Sequence, residues 1–348
     1  MKQQHTMKNI YFSLLILVVI ILQSCTSSTR VQVLKPADIN LPDSIQKFAI
    51  GNRSLPAEGQ QLGNIVEGIF SGEEIGLDKR ASGSAVVGLT NGLAKSPRYD
   101  VTQINEQLYG TGTSQMPVPL EWSEVERLCQ TANSDALILL ETFDTDSKRT
   151  FDTRIRKRKV NDEMVEYTEH QANLDMRVTT GWRIYYPKTS QIMDNHVFED
   201  HKGFTGKADS QELAIANLPG KERGAREAGI IAGESYAVRI SPMWIDVHRD
   251  YYTKGSADMK MATRRARSND WVGAAQVWQK LGESSANKKV KKRACYNMAL
   301  ACEVEGNLDL AAEWAKKARD LGMNKAITRI NQLEQRKADD ARANDQMN

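Results

Sequence analysis

The sequence predicts an α+β protein in which a mixed α/β body with a long antiparallel hairpin region is followed by an all-α helical array. Three observations predict it. Between residues 45 and 240, short apolar runs alternate with segments whose apolar residues fall at helical spacing. The stretch from Ala172 to Tyr186 alternates with period two over its length. From Thr253 onward the spacing is helical throughout, and it repeats. Of 348 residues, 40% are hydrophobic and 26% charged, with only 9 Pro, which excludes a disordered or low-complexity chain.

Lys2 and Lys8 precede an apolar run from Ile10 to Leu22 broken only by Ser13. As a helix this run reaches about 20 Å, short of the roughly 30 Å of a bilayer core, so residues 1–24 read as a signal peptide. The run closes on Leu22-Gln23-Ser24-Cys25. These four residues resemble the lipobox of bacterial lipoproteins, with Gln23 departing from the Ala, Ser or Thr usual there. The resemblance implies cleavage before Cys25 and acylation of Cys25, and several acyl chains anchor a protein stably to a membrane. Thr26 stands where Asp would favour the inner membrane in lipoprotein sorting patterns. That similarity implies an outer-membrane lipoprotein of the cell envelope, facing the periplasm. Residues 25–44, with Pro36 and Pro42 and no periodicity, are expected to be a lipid-anchored tether.

The body is expected over 45–252. Phe48 to Gly51 reads as a short buried strand and Ala85 to Lys95 as a helix with Val86, Leu89 and Leu93 inward. Tyr99 to Ile104 reads as a strand, Ser123 to Gln130 as a helix facing Val125, Leu128 and Cys129 inward, and Ala136 to Leu140 as a fully buried strand. A helix leading through Ala132-Asn133-Ser134-Asp135 into an apolar strand resembles the amino-terminal domains of TolB-type and curli-secretion-type periplasmic proteins. That resemblance allows a subunit of an oligomeric secretion pore. On the long strand, Ala172, Leu174, Met176, Val178, Trp182, Ile184 and Tyr186 share one face, and Asn173, Asp175, Arg177 and Arg183 the other. Arg154, Arg156, Lys157, Arg158 and Lys159 on one flank, and Asp194 and His196 on the other, argue against a lipid-facing hairpin, since each such charge costs about 2–4 kcal/mol near the bilayer midplane. A soluble antiparallel sheet packed on helices is the better expectation. Asp209-x-x-Glu212 has the form of a capping box, and a small-residue helix is expected from Glu222 to Arg239.

The array is expected over 253–348. Asn269-Asp270-Trp271, with Ala274 and Trp278, recurs 37 residues later as Gly306-Asn307-Leu308, with Ala311 and Ala315. These positions, with Ala299 and Ala318, resemble tetratricopeptide repeats, with a polar capping helix over 324–343. The resemblance implies stacked helical hairpins and a concave groove lined by Met259, Thr263, Arg267, Arg293, Tyr296, Leu300 and Glu303, which would take an envelope protein or peptide segment as partner. Lys288, Lys289, Lys291 and Lys292 crowd the first turns of one helix, the end disfavoured for cations, and are candidates for an anionic surface. The charge divides accordingly: 25–252 carries 26 Lys and Arg against 32 Asp and Glu, whereas 253–348 carries 19 against 12. Partners are therefore expected at the array and, through lipid on Cys25, at the membrane, with no nucleic acid.

Signals for chemistry are sparse. Cys129, Cys295 and Cys302 sit at apolar helical positions and read as core residues, without zinc or disulfide spacing. No nucleotide-binding loop or zinc-protease motif occurs, and Gly233-Glu234-Ser235-Tyr236-Ala237, one residue off a nucleophile elbow, lies within a helix. Asp194, His196, Glu199, Asp200 and His201 are the densest polar cluster, but the odd spacing of the two histidines puts them on opposite strand faces. No metal, cofactor or catalytic residue is assigned. The expectation is a non-catalytic interaction or assembly scaffold, the alternative being an envelope hydrolase or carbohydrate-active lipoprotein whose site is assembled from scattered carboxylates.

Overall fold

The computed structural model describes residues 26–56, 72–96 and 98–347. The predicted signal peptide and Cys25 lie outside them. The chain forms two compact units, one of residues 37–243 with 346–348 and one of residues 1–36 with 244–345.

The first unit is an α/β body. Its strands are β2 (Lys47–Asn52), β3 (Asp100–Gln103), β4 (Ala136–Val160), β5 (Glu163–Tyr186) and β6 (Gln191–Ala208), in the order β3-β2-β4-β5-β6. β2 runs parallel to both β3 and β4, while β4, β5 and β6 form an antiparallel meander. Its helices are α1 (Gly72–Leu93), α2 (Trp122–Thr131), α3 (Gln211–Ala216) and α4 (Lys221–Ile240). One sheet face carries Phe48, Ile50, Ile138, Leu140, Leu174, Met176, Val178 and Trp182, packed against α1 and α4. The alternation of β5 places these residues there. The opposite face is buried only at one end, where Leu137, Leu139 and Tyr185 meet Val125, Leu128 and Cys129 of α2. The expectation of one wet face therefore holds for Asp175 and Arg177 and fails at Arg183, which is buried with Tyr185 under α2 and the preceding loop.

Helices α1 and α4 touch backbone to backbone. A Cβ on Gly88 would lie 2.1 Å from the Ile230 carbonyl oxygen, and one on Gly233 would lie 2.0 Å from that of Ala85. The small-residue run of α4 exists for this contact. α1 also begins well before the predicted Ala85, because Gly76 and the run Ala81-Ser82-Gly83-Ser84 carry little hydrophobic period. The helix start predicted at Asp209 shifts by one residue: Ser210 is the N-cap, its Oγ accepting from Leu213 N.

The second unit combines helices with a two-stranded sheet. β1 (Thr26–Lys35) pairs with β7 (Met243–Tyr252). The segment expected to be a tether is thus a strand to Lys35, with Val31 and Val33 buried in the helical core, and Leu41 and Ile45 beyond it enter the core of the body. Along the chain the two compact units meet between Met243 and Trp244, at the first residue of β7. Helices α5 (Ala257–Arg267), α6 (Trp271–Ser284), α7 (Lys288–Val304), α8 (Leu308–Asp320) and α9 (Lys325–Met347) follow as successive hairpins. Asn269 and Gly306, one period apart, both adopt positive φ, of 64° and 79°. Asp270 and Asn307, one residue on, both cap the next helix by accepting from the amides of Gly273 and Leu310. The repeat seen in the sequence is thus a repeat of turn geometry. Among the described residues no helix is long and apolar enough to cross a membrane.

Because α1 and α4 meet at backbone contact, Gly233→Ala should destabilise the body by roughly 2 kcal/mol, an overpacking penalty, measured by denaturant unfolding. A change below a few tenths of a kcal/mol would contradict the close approach.

Candidate functional site

α7 is the helix around which the second unit assembles. Its face formed by Tyr296, Leu300 and Glu303 was expected to line an open groove, with Met259 and Thr263 of α5. The structure corrects this. All five are buried, Glu303 completely, and only Arg267 is exposed, with Arg293 half-buried. The groove is filled by the chain itself, through β7 and α9.

The contacts show why. Asn297, one residue along, accepts from Tyr252 N at 2.8 Å and donates to Tyr252 O at 2.7 Å, so its amide pairs with the end of β7 as a neighbouring strand would. Glu303 accepts from Arg249 Nε of β7 at 2.9 Å and from Arg329 Nη1 of α9 at 2.9 Å, while Arg336 of α9 donates to the Glu303 carbonyl oxygen at 3.0 Å. Tyr296 and Asp250 extend the network, with Tyr296 Oη 3.2 Å from Asp250 Oδ1. Burial pushes the Tyr296 hydroxyl above its ordinary pKa. A carboxylate this deep is tolerated only because cations and hydrogen bonds surround it.

The lysine cluster lies differently. Lys288, Lys289 and Lys292 line one open pocket of about 600 Å³, and Lys291 does not. Arg293 joins them, and so does Lys325, the first residue of α9. Sequence reasoning missed Lys325 because it lies more than thirty residues away and arrives through the turn at Gly322, whose φ is 85°. Arg293 is fixed over the Tyr252 ring, 4.8 Å from its centroid, and donates to Lys254 O at 2.9 Å. Lys292 Nζ donates to Gly322 O at 3.1 Å, and Lys325 Nζ to Asp250 Oδ2 at 2.6 Å.

The body holds two closed polar clusters. Glu141 is the extra residue of a β-bulge in β4, set between Leu140 and Thr142. It accepts from Tyr185 Oη at 2.6 Å, Arg183 Nη1 at 3.0 Å and Arg53 Nη1 at 3.1 Å. The two arginines also donate to the carbonyl oxygens of Tyr109, Pro117 and Val118, and Tyr185 Oη accepts from Leu120 N, which pins the loop before α2 to the sheet. Burial, and then the Glu141 charge, pushes Tyr185 up to about 12. Glu141 is fully buried. Asp194 is likewise closed by Arg239 at 2.9 Å and Tyr236 at 3.0 Å.

The His and acid cluster of β6 divides between the two faces of the strand. Asp200 accepts from Ser235 Oγ at 2.8 Å on the α4 side. His201 lies exposed, with Nδ1 3.2 Å from Asp175 and Nε2 3.2 Å from Glu199, contacts that raise its pKa, that with Glu199 contributing most. Ser235, in the sequence resembling a nucleophile elbow, sits inside α4. Among the described residues no group of three or more His, Cys, Asp or Glu is placed to hold a metal. Cys129, Cys295 and Cys302 are free and buried, with burial raising Cys302 to about 11.

A family model described as "Domain of unknown function (DUF8603)" matches residues 45–252, and a second, "Domain of unknown function (DUF6340)", matches residues 260–344. Neither description names a catalytic activity. No curated protein matches the sequence. Among solved structures, the chain is similar to the PelC dodecamer from Paraburkholderia phytofirmans, at 12% identity over 62% of this chain and 99% of that one, with a TM-score of 0.22. It is also similar to a protein from Caulobacter crescentus CB15 described provisionally as a lipoprotein, at 11% identity over 47% of this chain and 90% of that one, with a TM-score of 0.18. A third is described provisionally as a neuraminyllactose-binding hemagglutinin homologue from Helicobacter pylori, at 8% identity over 66% and 93%, with a TM-score of 0.23. Superpositions this loose carry no further inference.

Glu303→Gln leaves three arginines around a neutral group. It should destabilise the second unit by about 3 kcal/mol, as removal of one partner from a buried charge network does. Amide hydrogen exchange should show β7 and α9 losing protection while β4 and β5 keep theirs. Unchanged protection at β7 would refute the organising role of Glu303.

Proposed function

We propose that this chain, which belongs to the family of the domain of unknown function DUF8603 through residues 45–252, is a lipid-anchored protein of the cell envelope that serves as an interaction or assembly scaffold rather than as an enzyme. The proposed location is the outer membrane, facing the periplasm, with Cys25 as the acylated residue. The sequence from Lys2 to Cys25 supports that location.

One observation carries the scaffold reading. β4 and β5 continue as a two-stranded ribbon beyond the last pairing of β5 with β6, His170↔Ala208, as far as the Asn161-Asp162 turn. Both turn residues have positive φ, 48° and 65°, as a tight hairpin requires. On the face continuous with the core face of the sheet, Ile155 and Met164 of the ribbon are 74% and 63% exposed, and Phe151, in the three-stranded part just before it, is 48% exposed. The ribbon's cations are mostly engaged along it: Arg156 pairs with Glu169, Lys157 with Glu166 and Lys159 with Asp162. What the ribbon offers a partner is therefore its apolar line, which a solitary protein would gain by burying. The deepest carboxylates, Glu141, Asp194 and Glu303, are by contrast closed by arginine and tyrosine, an arrangement suited to holding a fold. The helical unit supplies a second surface for a protein or peptide partner, on its outer side, because its inner side is filled.

Two measurements test this reading. Cys25→Ala should shift the protein from the membrane to the soluble envelope fraction, and continued membrane retention would sink the anchor. A photo-crosslinker at position 155 should capture one defined envelope protein in cells, with the adduct lost in a Phe151→Asp, Met164→Asp background of unchanged melting temperature. A spread of unrelated adducts, or none, would argue against a docking ribbon.

A further inference from the structure

We propose that the pocket between the first turns of α7 and α9 binds a phosphate-bearing anion. Five cations line it from two separated stretches of chain: Lys288, Lys289, Lys292 and Arg293 from α7, and Lys325 from α9. Among the described residues no carboxylate lines it. Asp250 holds Lys325 from outside the lining, and among the described residues no carboxylate pairs with Lys288 or Lys289. The cations stand at the two helix ends where the backbone amides add positive potential, so every charged side chain that lines the pocket has the same sign, with Asp250 behind Lys325 the nearest counter-charge. A fold gains nothing from that concentration by itself, and an anion would relieve it.

The lining is built as well as charged. Arg293 is immobilised by the Tyr252 ring and by one hydrogen bond to Lys254 O, which leaves N–H groups of its fork for a ligand. Lys292 is tied to Gly322 O, on the turn that brings α9 alongside α7. Asn287 caps α7 by accepting from the amides of Lys289 and Val290, so the cations beside it, and not the bare helix end, are what the pocket presents. With a volume of about 600 Å³ the site exceeds a single ion and suits a phosphate carried on a larger group, either a lipid headgroup or a soluble phosphate compound. The inference does not need the anchor at Cys25 and can be tested without it.

The test uses the full mature chain carrying Cys25→Ala, at fixed ionic strength. Inorganic pyrophosphate is titrated calorimetrically, and flotation is measured with vesicles of phosphatidylcholine with and without phosphatidylglycerol. Pyrophosphate should bind, and Lys288→Gln, Lys289→Gln and Lys292→Gln together should weaken it by about tenfold or more, the effect of removing charge-assisted contacts. Lys289→Gln alone, at an exposed position, gives a smaller loss and keeps the test readable if the triple variant unfolds. A control removing three exposed cations elsewhere in the unit, Lys260→Gln, Lys280→Gln and Lys316→Gln, should bind as the parent does. Flotation with the phosphatidylglycerol vesicles, competed by pyrophosphate, identifies a headgroup as the source, and pyrophosphate binding without flotation identifies a soluble phosphate compound. No pyrophosphate binding, flotation that pyrophosphate does not compete, or an equal loss in the control would overturn the proposal.

Discussion

A buried carboxylate with three arginines around it organises the helical unit. Glu303 sits at the end of α7 with no exposure to water, and an unpaired charge there would cost several kcal/mol. Arg249 arrives from β7, and Arg329 and Arg336 from α9. Each of these elements is thereby fixed to the same helix, and β1 comes with β7 as its partner strand. A helical array of this length is close to the smallest that stands alone, since each hairpin buries its apolar face only on a neighbour. Here the missing neighbours are supplied by a β-ribbon and by a long terminal helix. Closing the inner face makes the array self-sufficient, and it also removes that face as a binding surface. A partner of this unit would then have to use what remains outside, which is where the basic pocket and the exposed Arg267 lie.

The body solves the same problem in another way. Its sheet is covered on one side by α1 and α4, which approach so closely that glycine is required at the crossing. On the other side, among the described residues, α2 and the loop before it cover one end of the sheet, with Leu108 and Leu120 of the loop packed there beside α2. Glu141, thrust out of the ladder by a bulge, takes Arg53 and Arg183 as partners, and their remaining N–H groups hold three loop carbonyls. A buried polar network is thus added to the apolar packing of this face and fixes the loop to the sheet. In both units the conspicuous acids thus hold elements together. Acid clusters read from a sequence divide into structural and catalytic ones only when their burial is known.

Local features were legible in the sequence, and convergent ones were not. The alternation of β5, the inward face of α2 and the repeated turn at Asn269 and Gly306 are properties of a few adjacent residues, and all are found where the pattern placed them. The strand β1 is not legible locally because its apolar residues, Val31, Val33 and Leu34, fall at its end after a run of Thr, Ser and Arg, and its strand conformation is imposed by β7. Glu303 was named for the wrong reason: its position on the inner face of α7 follows from helical spacing, but nothing local says that arginines 26 and 33 residues later will close over it. Lys325 joins the basic pocket by the same non-local route, through a turn that only Gly322 announces.

The start of β1 bears on how the anchor and the fold are joined. A flexible tether of some twenty residues would let a lipid-held protein range tens of ångströms from its membrane. β1 begins at Thr26, the residue after Cys25, and stays in the ladder and the helical core up to Lys35. An acyl group on Cys25 would therefore be attached to a folded strand with almost no slack, since one residue of extended chain spans only about 3.4 Å. The helical unit, rather than the body, would be the part held at the bilayer, and its surplus of cations would face an anionic surface at short range, within the roughly 8 Å over which physiological salt leaves such charges unscreened. β1 and the basic pocket belong to one unit, whose positive balance, the opposite of the body's, would favour the orientation that an acyl group on Cys25 would impose.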